Sequence, residues 1–200
     1  YMIKGNGDTI LINAGSTTLP SATLTSVTDI ANYNNATTTT LFIKDTIRGG
    51  TFFLYVGSDA ADNGMIFTDA NNNKWKRQAS GDMNVRWYGA APNKTGIENW
   101  NAIIAAKNYL LSHRQSFEWL YFPSGDYQIT YTLLFTSSIK LKGTGVYNLP
   151  SSTLTFPFNT TGIAIHEYNL DFVSEMKDLQ IRNQTNVLPI DSSKHLIDIR

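Results

Sequence analysis

Residues Glu118 to Thr130 read EWLYFPSGDYQIT. This stretch constrains the fold more than any other. It follows a helix-length segment directly, and it holds two apolar runs broken by a Pro-Ser-Gly-Asp turn. Short strand-like runs follow: DYQIT, TLLF, IKLKGTG, STLTFPF, TGIAIHEY, MKDLQIRNQ and KHLIDIR. Gly, Asn, Ser or Pro separates them. Short strands at near-regular spacing suit a sandwich, a barrel or a parallel solenoid.

The preceding segment, TGIENWNAIIAAKNYLLSH, predicts an amphipathic helix over about residues 97–112. Thr95 and Glu98 have capping-box spacing, so each can satisfy an orphan amide of the other. Ile97, Trp100, Ile104 and Leu111 fall near one face, joined by Ile103 and Leu110. Upstream, NVRWYGAAPN reads as a strand entering a turn at Pro92.

Nearer the start, LFIKDTI and TFFLYVG flank Arg-Gly-Gly and suggest a hairpin. GMIFTDANNNKWKRQ suggests a second, with Asn71, Asn72 and Asn73 at its tip. Residues 41–83 therefore form an expected hairpin module. Residues 1–40 carry only weak strand signals and long Thr/Ser/Asn stretches, and they read as a strand and linker region.

Composition excludes several functions. Sixteen Lys and Arg balance sixteen Asp and Glu, with no basic run. Nucleic acid is not an expected partner, because duplex binding leans on phosphate neutralisation by Lys and Arg. The chain has no Cys, which rules out disulfides, thiolate metal sites and a cysteine nucleophile. No apolar run reaches membrane-spanning length, so no membrane insertion is expected. Hydrophobic residues make up 42%, enough for a real core.

The order strand, polar turn, capped helix, YFPSGDY strand and Gly-Thr-Gly close resembles the entry segment of pectate-lyase-like right-handed parallel β-helices. The matching residues are Tyr88-Gly89-Ala90, Ile103 to Ala106, Tyr121-Phe122-Pro123, Gly125, Tyr127 and Gly143-Thr144-Gly145. The physical logic agrees. An amphipathic helix can cover the apolar end of a first rung, and glycines permit tight corners. One departure is plain: the family's acidic turn before the helix is replaced here by APNKTGIENW.

The front block from Thr37 to Ala90, which includes the hairpin module, resembles the module preceding this β-helix in phage tailspikes. The resemblance implies a mainly β chain. A small antiparallel unit would precede a capping helix and the first rungs, from about residue 84 to 200 and onward. It implies a homotrimer on the virion surface that contacts other virion proteins through residues 1–40. It also implies binding, and often cutting, of host surface polysaccharide. A purely adhesive spike and a secreted bacterial polysaccharide lyase or glycoside hydrolase are the competing readings.

Glycoside cleavage needs two carboxylates facing one bond. Asp171, Glu175 and Asp178 are the candidates within the segment, against a solvated rung edge; in the family the catalytic acids usually lie on later rungs. Tyr127 and Tyr131 are the aromatics expected to be exposed, and hence the candidate glycan contacts. His113, His166 and His195 lack metal-type spacing. DANNNK resembles the start of a calcium loop, but Lys74 stands where Gly belongs and Ser80 where the bidentate Glu belongs, so it reads as a hairpin tip. No cofactor or metal is expected.

Overall fold

Chain reversal in the first part of the molecule is set by short polar side chains that bind their own backbone. The computed structural model describes residues 2–5, 8–11, 20–145, 151–157, 162–165, 174–183 and 197–199. Two compact units divide it, Tyr1–Ser80 and Gly81–Arg200.

In the first unit, β1 (Met2–Gly5) and β2 (Asp8–Leu11) pair antiparallel. A five-stranded sheet contains β3 (Ser21–Leu24), β4 (Thr40–Ile43), β5 (Gly50–Tyr55), β6 (Ile66–Thr68) and β7 (Lys74–Arg77), in the order β3-β4-β5-β7-β6. Both expected hairpins are present, with antiparallel pairs β4–β5 and β6–β7.

The stretch before them is not a bare linker. β3 runs parallel to β4, and a 3-10 helix (Val27–Asn32) makes the crossover. Ser26 and Asp29 close a capping box on that helix. Val27 and Ile30 then enter the core beside Leu41, Ile43, Phe52, Phe67 and Trp75.

The hairpin tip at Asn71–Asn73 is organised by one carboxylate. Asp69 accepts from the amides of Asn71 and Asn73 at 2.8 and 2.9 Å and from the Trp75 indole at 3.0 Å. Burial pushes its pKa up, but the hydrogen bonds from Trp75, Asn73 and Asn71 together hold it below the usual value. The carboxylate that would open a calcium loop is thus committed to the turn.

In the second unit, β8 (Gly81–Asn84) leads into a 3-10 helix (Val85–Tyr88), where the sequence pattern predicts a strand. Asn84 caps it by accepting from the Arg86 amide at 2.9 Å, which turns the chain before the extended pattern can continue. Helix α1 spans Gly96–Ser112, with the Thr95–Glu98 capping box in place.

Short strands follow: β9 (Phe117–Tyr121), β10 (Gly125–Gln128), β11 (Leu133–Phe135), β12 (Lys140–Lys142), β13 (Ser152–Phe156), β14 (Ile163–Ile165), β15 (Glu175–Lys177), β16 (Gln180–Asn183) and β17 (Ile197–Ile199). They pair parallel in three sheets, β8-β9-β12-β15, β10-β13-β16 and β11-β14-β17. Each circuit of the chain therefore lays one strand on each sheet, which is a parallel β-helix.

Its interior is a set of stacks. Met83, Leu120 and Leu141 are in register on neighbouring strands and at most 1% exposed. Tyr127 and Leu154 stack likewise, as do Leu133 and Ile163.

Helix α1 lies against β8, β9 and β10. It buries Asn99, Ala102, Ile103, Ala106, Tyr109 and Leu110. The expected stripe is only partly right: Ile103 and Leu110 are buried, whereas Ile97 is 46% exposed and Trp100, Ile104 and Leu111 are half-buried. Asn99 explains the rotation of the buried face. Its Oδ1 accepts from the Ala91 amide at 2.8 Å and its Nδ2 donates to the Gln128 carbonyl at 3.1 Å, so this polar side chain is buried yet satisfied.

Two glycines are required by close approach. A Cβ at Gly125 would sit 2.3 Å from Pro92 Cγ, and its φ of +144° disfavours other residues. A Cβ at Gly143 would sit 2.0 Å from the Asp178 carbonyl oxygen, where one rung passes over the next.

Candidate functional site

The turn in YFPSGDY is held from inside. Tyr127 donates to the Pro123 carbonyl at 2.8 Å and accepts from Arg86 Nε at 3.0 Å, while Arg86 Nη2 donates to the Ser124 carbonyl. Tyr127 is 0% exposed. Its expected exposure is therefore corrected: the alternation that sends Asp126 and Gln128 outward sends Tyr127 into the core. It is a structural tyrosine.

Tyr131 is 50% exposed. Its ring meets the edge of Trp100 at 5.5 Å and 83°. The Trp100 indole N–H donates to the Thr132 carbonyl at 3.1 Å, which fixes the ring. Ile97, one helical turn before Trp100, and Leu134, on the outward side of β11, are 46% and 42% exposed.

On the first sheet, Leu120 and Leu141 point inward, so Trp119, Tyr121, Lys140 and Lys142 point outward. Lys177 Nζ lies 3.9 Å and Lys140 Nζ 5.3 Å from the Trp119 ring centre. These stems cover the indole, and Trp119 is only 7% exposed. Lys142 lies 5.8 Å from the Tyr121 ring centre and 2.6 Å from Asp82.

Hydrogen bonding from Lys140 lowers the Glu118 pKa, and the same bond raises that of Lys140. The bond to Asp82 raises Lys142. Two cation–carboxylate pairs, Lys140–Glu118 and Lys142–Asp82, thus lie on this face, and the Trp119 ring is covered.

The second sheet carries an outward polar ladder. Thr155 donates to Asp126 at 2.6 Å, Thr153 to Gln180 at 3.0 Å, and Arg182 to Gln180 at 3.1 Å. Asp126 belongs to β10 and not to the preceding turn.

Of the three candidate acids, Glu175 and Asp178 are exposed, and Asp171 lies outside the described residues. Glu175 is in register with Lys140 on β12. Asp178 adopts φ +54° at the corner after β15, and its carbonyl accepts from the Gly145 amide at 3.0 Å. Both acids occupy the same rung edge.

His113 stacks on Tyr109 at 3.9 Å and 5° at the C-terminus of α1. His166 and His195 lie outside the described residues. Among the described residues no cluster of three or more His, Cys, Asp or Glu could hold a metal ion, and no helix is long and apolar enough to cross a membrane.

No family model matches the chain, and no curated protein matches its sequence. Solved structures do match. The tailspike protein of Acinetobacter phage vB_ApiP_P1 is similar over 92% of this chain and 34% of its own, with a TM-score of 0.64 and 15% identity. Pantoea stewartii WceF, described as a glycan biofilm modifying enzyme with a bacteriophage tailspike-like parallel β-helix fold, is similar over 80% of this chain and 26% of its own, with a TM-score of 0.48 and 18% identity. The tailspike of Acinetobacter baumannii phage AM24 is similar over 80% and 33%, with a TM-score of 0.44 and 13% identity. The chain spans about a third of the length of the first of these tailspikes. At these identities the likeness is one of fold: a mainly β chain with the parallel β-helix of phage tailspikes.

Proposed function

We propose that the chain is the β-helix-bearing part of a phage-type spike or tail protein that sits on the virion and binds host cell-surface polysaccharide. The observation that carries this reading is the combination of a folded front unit and a helix-covered parallel β-helix, matched to a phage tailspike at a TM-score of 0.64 over 92% of the chain. A solenoid suits the task because its sides are long and regular, and one repeat after another can meet a repeating polymer.

In this reading residues 1–40 contact other virion proteins, and three copies assemble about a common axis. Trimerisation would multiply a weak sugar contact into a useful one. Tyr131 is the aromatic contact for sugar. Glu175 and Asp178 are placed with the solvated rung edge, and cleavage is assigned to residues outside this segment. A spike that only adheres differs from this in lacking cleavage anywhere.

The test uses the purified chain against immobilised surface polysaccharides from a panel of bacterial strains, with light scattering for its mass. Binding to at least one polysaccharide by a trimer is expected. A folded chain that binds none of the panel would overturn the glycan reading. Loss of reducing-end release in Glu175→Gln or Asp178→Asn would move the catalytic site into this segment.

A further inference from the structure

Two arginines converge on one dipeptide of the first unit. Arg77 is 4% exposed, and its Nε donates to the Gly64 carbonyl at 3.2 Å. Its Nη1 and Nη2 donate to the carbonyls of Gly49 and Arg48. Arg48 in turn donates to the Asn63 carbonyl. The dipeptide so held is Asn63–Gly64. Asn followed by Gly is the pair most prone to intramolecular loss of a side-chain amide, because glycine leaves its own nitrogen unshielded. We propose that Asn63–Gly64 is a latent deamidation site, which the folded loop keeps unreactive and local opening sets off.

The reacting groups lie in adjacent residues. The Gly64 nitrogen attacks the carbonyl carbon of the Asn63 side chain. That N–C bond forms as the bond to Nδ2 breaks, and the Gly64 amide proton ends on the departing nitrogen, which leaves as ammonia. Water then opens the five-membered imide at either carbonyl. One opening gives aspartate. The other gives isoaspartate, in which the main chain runs through the side-chain carbon. Asn63 is exposed, and among the described residues nothing hydrogen-bonds its carboxamide. The electrophile is therefore open to attack, and the control lies with the nucleophile.

The backbone polar groups of both residues are occupied. The Asn63 amide donates to the Ile66 carbonyl at 3.1 Å. The Gly64 amide donates to Asp62 Oδ1 at 3.0 Å, and the same oxygen accepts from Met65 and Ile66 at 2.9 Å. Gly64 must give up that bond before its nitrogen can attack. Asn63 also has φ +58°. In the left-handed region allowed to a residue with a side chain, ψ of about +30 to +60° turns the next nitrogen away from Cβ. Closing the five-membered ring needs the two on the same side. The loop must therefore open first, and the native rate is the open-chain rate multiplied by the open fraction. The change then sustains itself. The extra main-chain carbon of isoaspartate displaces the Gly64 carbonyl, and the buried Arg77 guanidinium loses an acceptor.

The experiment incubates the folded chain and the urea-unfolded chain at mildly alkaline pH. Tandem mass spectrometry of the tryptic peptide Gly49–Lys74 follows Asn63 and resolves it from Asn71, Asn72 and Asn73. The chain's other Asn-Gly pair, Asn6–Gly7, falls in a different tryptic peptide. The expected result is conversion at Asn63 at least about tenfold slower in the folded chain. Asn63→Gln should stop it in both states, since ring closure then needs one more atom. Asp62→Ala should bring the folded rate toward the unfolded one. If that variant does not fold, Arg48→Ala, which releases the Asn63 carbonyl, carries the same expectation. Aged chain rich in isoaspartate should melt lower than fresh chain, while the Asn63→Gln chain keeps its melting temperature over the same period. Equal rates in the folded and unfolded chains overturn the gate. An Asn63 that survives in urea overturns the site. A folded rate unmoved by the loop variants overturns the lock.

Discussion

Tyr127→Phe deletes one oxygen and should be costly. That oxygen is buried, donates to the Pro123 carbonyl at 2.8 Å and accepts from Arg86 Nε at 3.0 Å. The phenylalanine ring would still fill the core, so no cavity term arises. What remains is a carbonyl and a guanidinium N–H stripped of a partner inside the fold. Leaving buried groups unsatisfied costs about 1–3 kcal/mol. For a unit of this size, each kcal/mol lowers the melting temperature by about 4 °C, so a drop of about 4–12 °C is expected. The control is Tyr131→Phe, which removes an exposed hydroxyl and should change stability by less than about 0.5 kcal/mol. Thermal unfolding followed by circular dichroism separates the two. Alkaline pH adds a second readout. Burial raises the Tyr127 pKa, so above about pH 10 the unfolded chain ionises this phenol before the folded one does. Stability should fall as pH rises through that range, and the fall should be shallower in Tyr127→Phe. If both variants melt alike, the Arg86–Tyr127–Pro123 lock contributes nothing and the reasoning fails.

Leu141→Ala should cost about 2–5 kcal/mol, because Leu141 sits within the Met83–Leu120–Leu141 stack; urea unfolding measures it. Gly143→Ala should disrupt the β-helix more than Gly145→Ala, since only the former drives a Cβ into the Asp178 carbonyl; the difference is readable in soluble yield and near-ultraviolet dichroism. Hydrogen bonds from the Thr95 backbone and side chain hold Glu98 down to about 2. The fold should therefore lose this contribution as pH falls from about 5 towards 2, and Glu98→Gln should flatten that acid limb in a pH series of melts. Asp69→Asn should destabilise the first unit, because one amide oxygen cannot replace two carboxylate oxygens facing Asn71, Asn73 and Trp75; Trp75 fluorescence would report it.

Local signals carried well from sequence to structure. The Thr95–Glu98 capping box, the tip at Asn71–Asn73 and the Phe122–Tyr127 turn each depend on a few adjacent residues, and each is present. Where two local patterns competed, the reading went astray. Helix α1 is apolar around much of its circumference, so periodicity could not choose between the Ile97–Trp100–Ile104 stripe and the Asn99–Ile103–Ala106 face. The fold chose the latter because Asn99 alone reaches the Ala91 amide and Gln128 carbonyl. Tyr127 and Tyr131 look equivalent in sequence, but one lies on the inward parity of β10 and the other beyond its end. The crossover between β3 and β4 did leave a signal, Ser26-Val27-Thr28-Asp29, which has capping spacing with Val27 and Ile30 one turn apart. The surrounding Thr and Asn obscured it.

The register of the β-helix sets how such a chain can change. Trp119 pairs with Lys140 and Lys140 with Glu175, so successive circuits hold the same ladder across connections of unequal length. The strand register is therefore kept across corners of different length, provided that close-packed positions such as Gly125 and Gly143 are retained. Residues can be gained or lost at a corner without moving any inward side chain to the wrong face. A lineage of such chains can exchange its corner loops, and the chemistry they present, while inheriting the same apolar stacks.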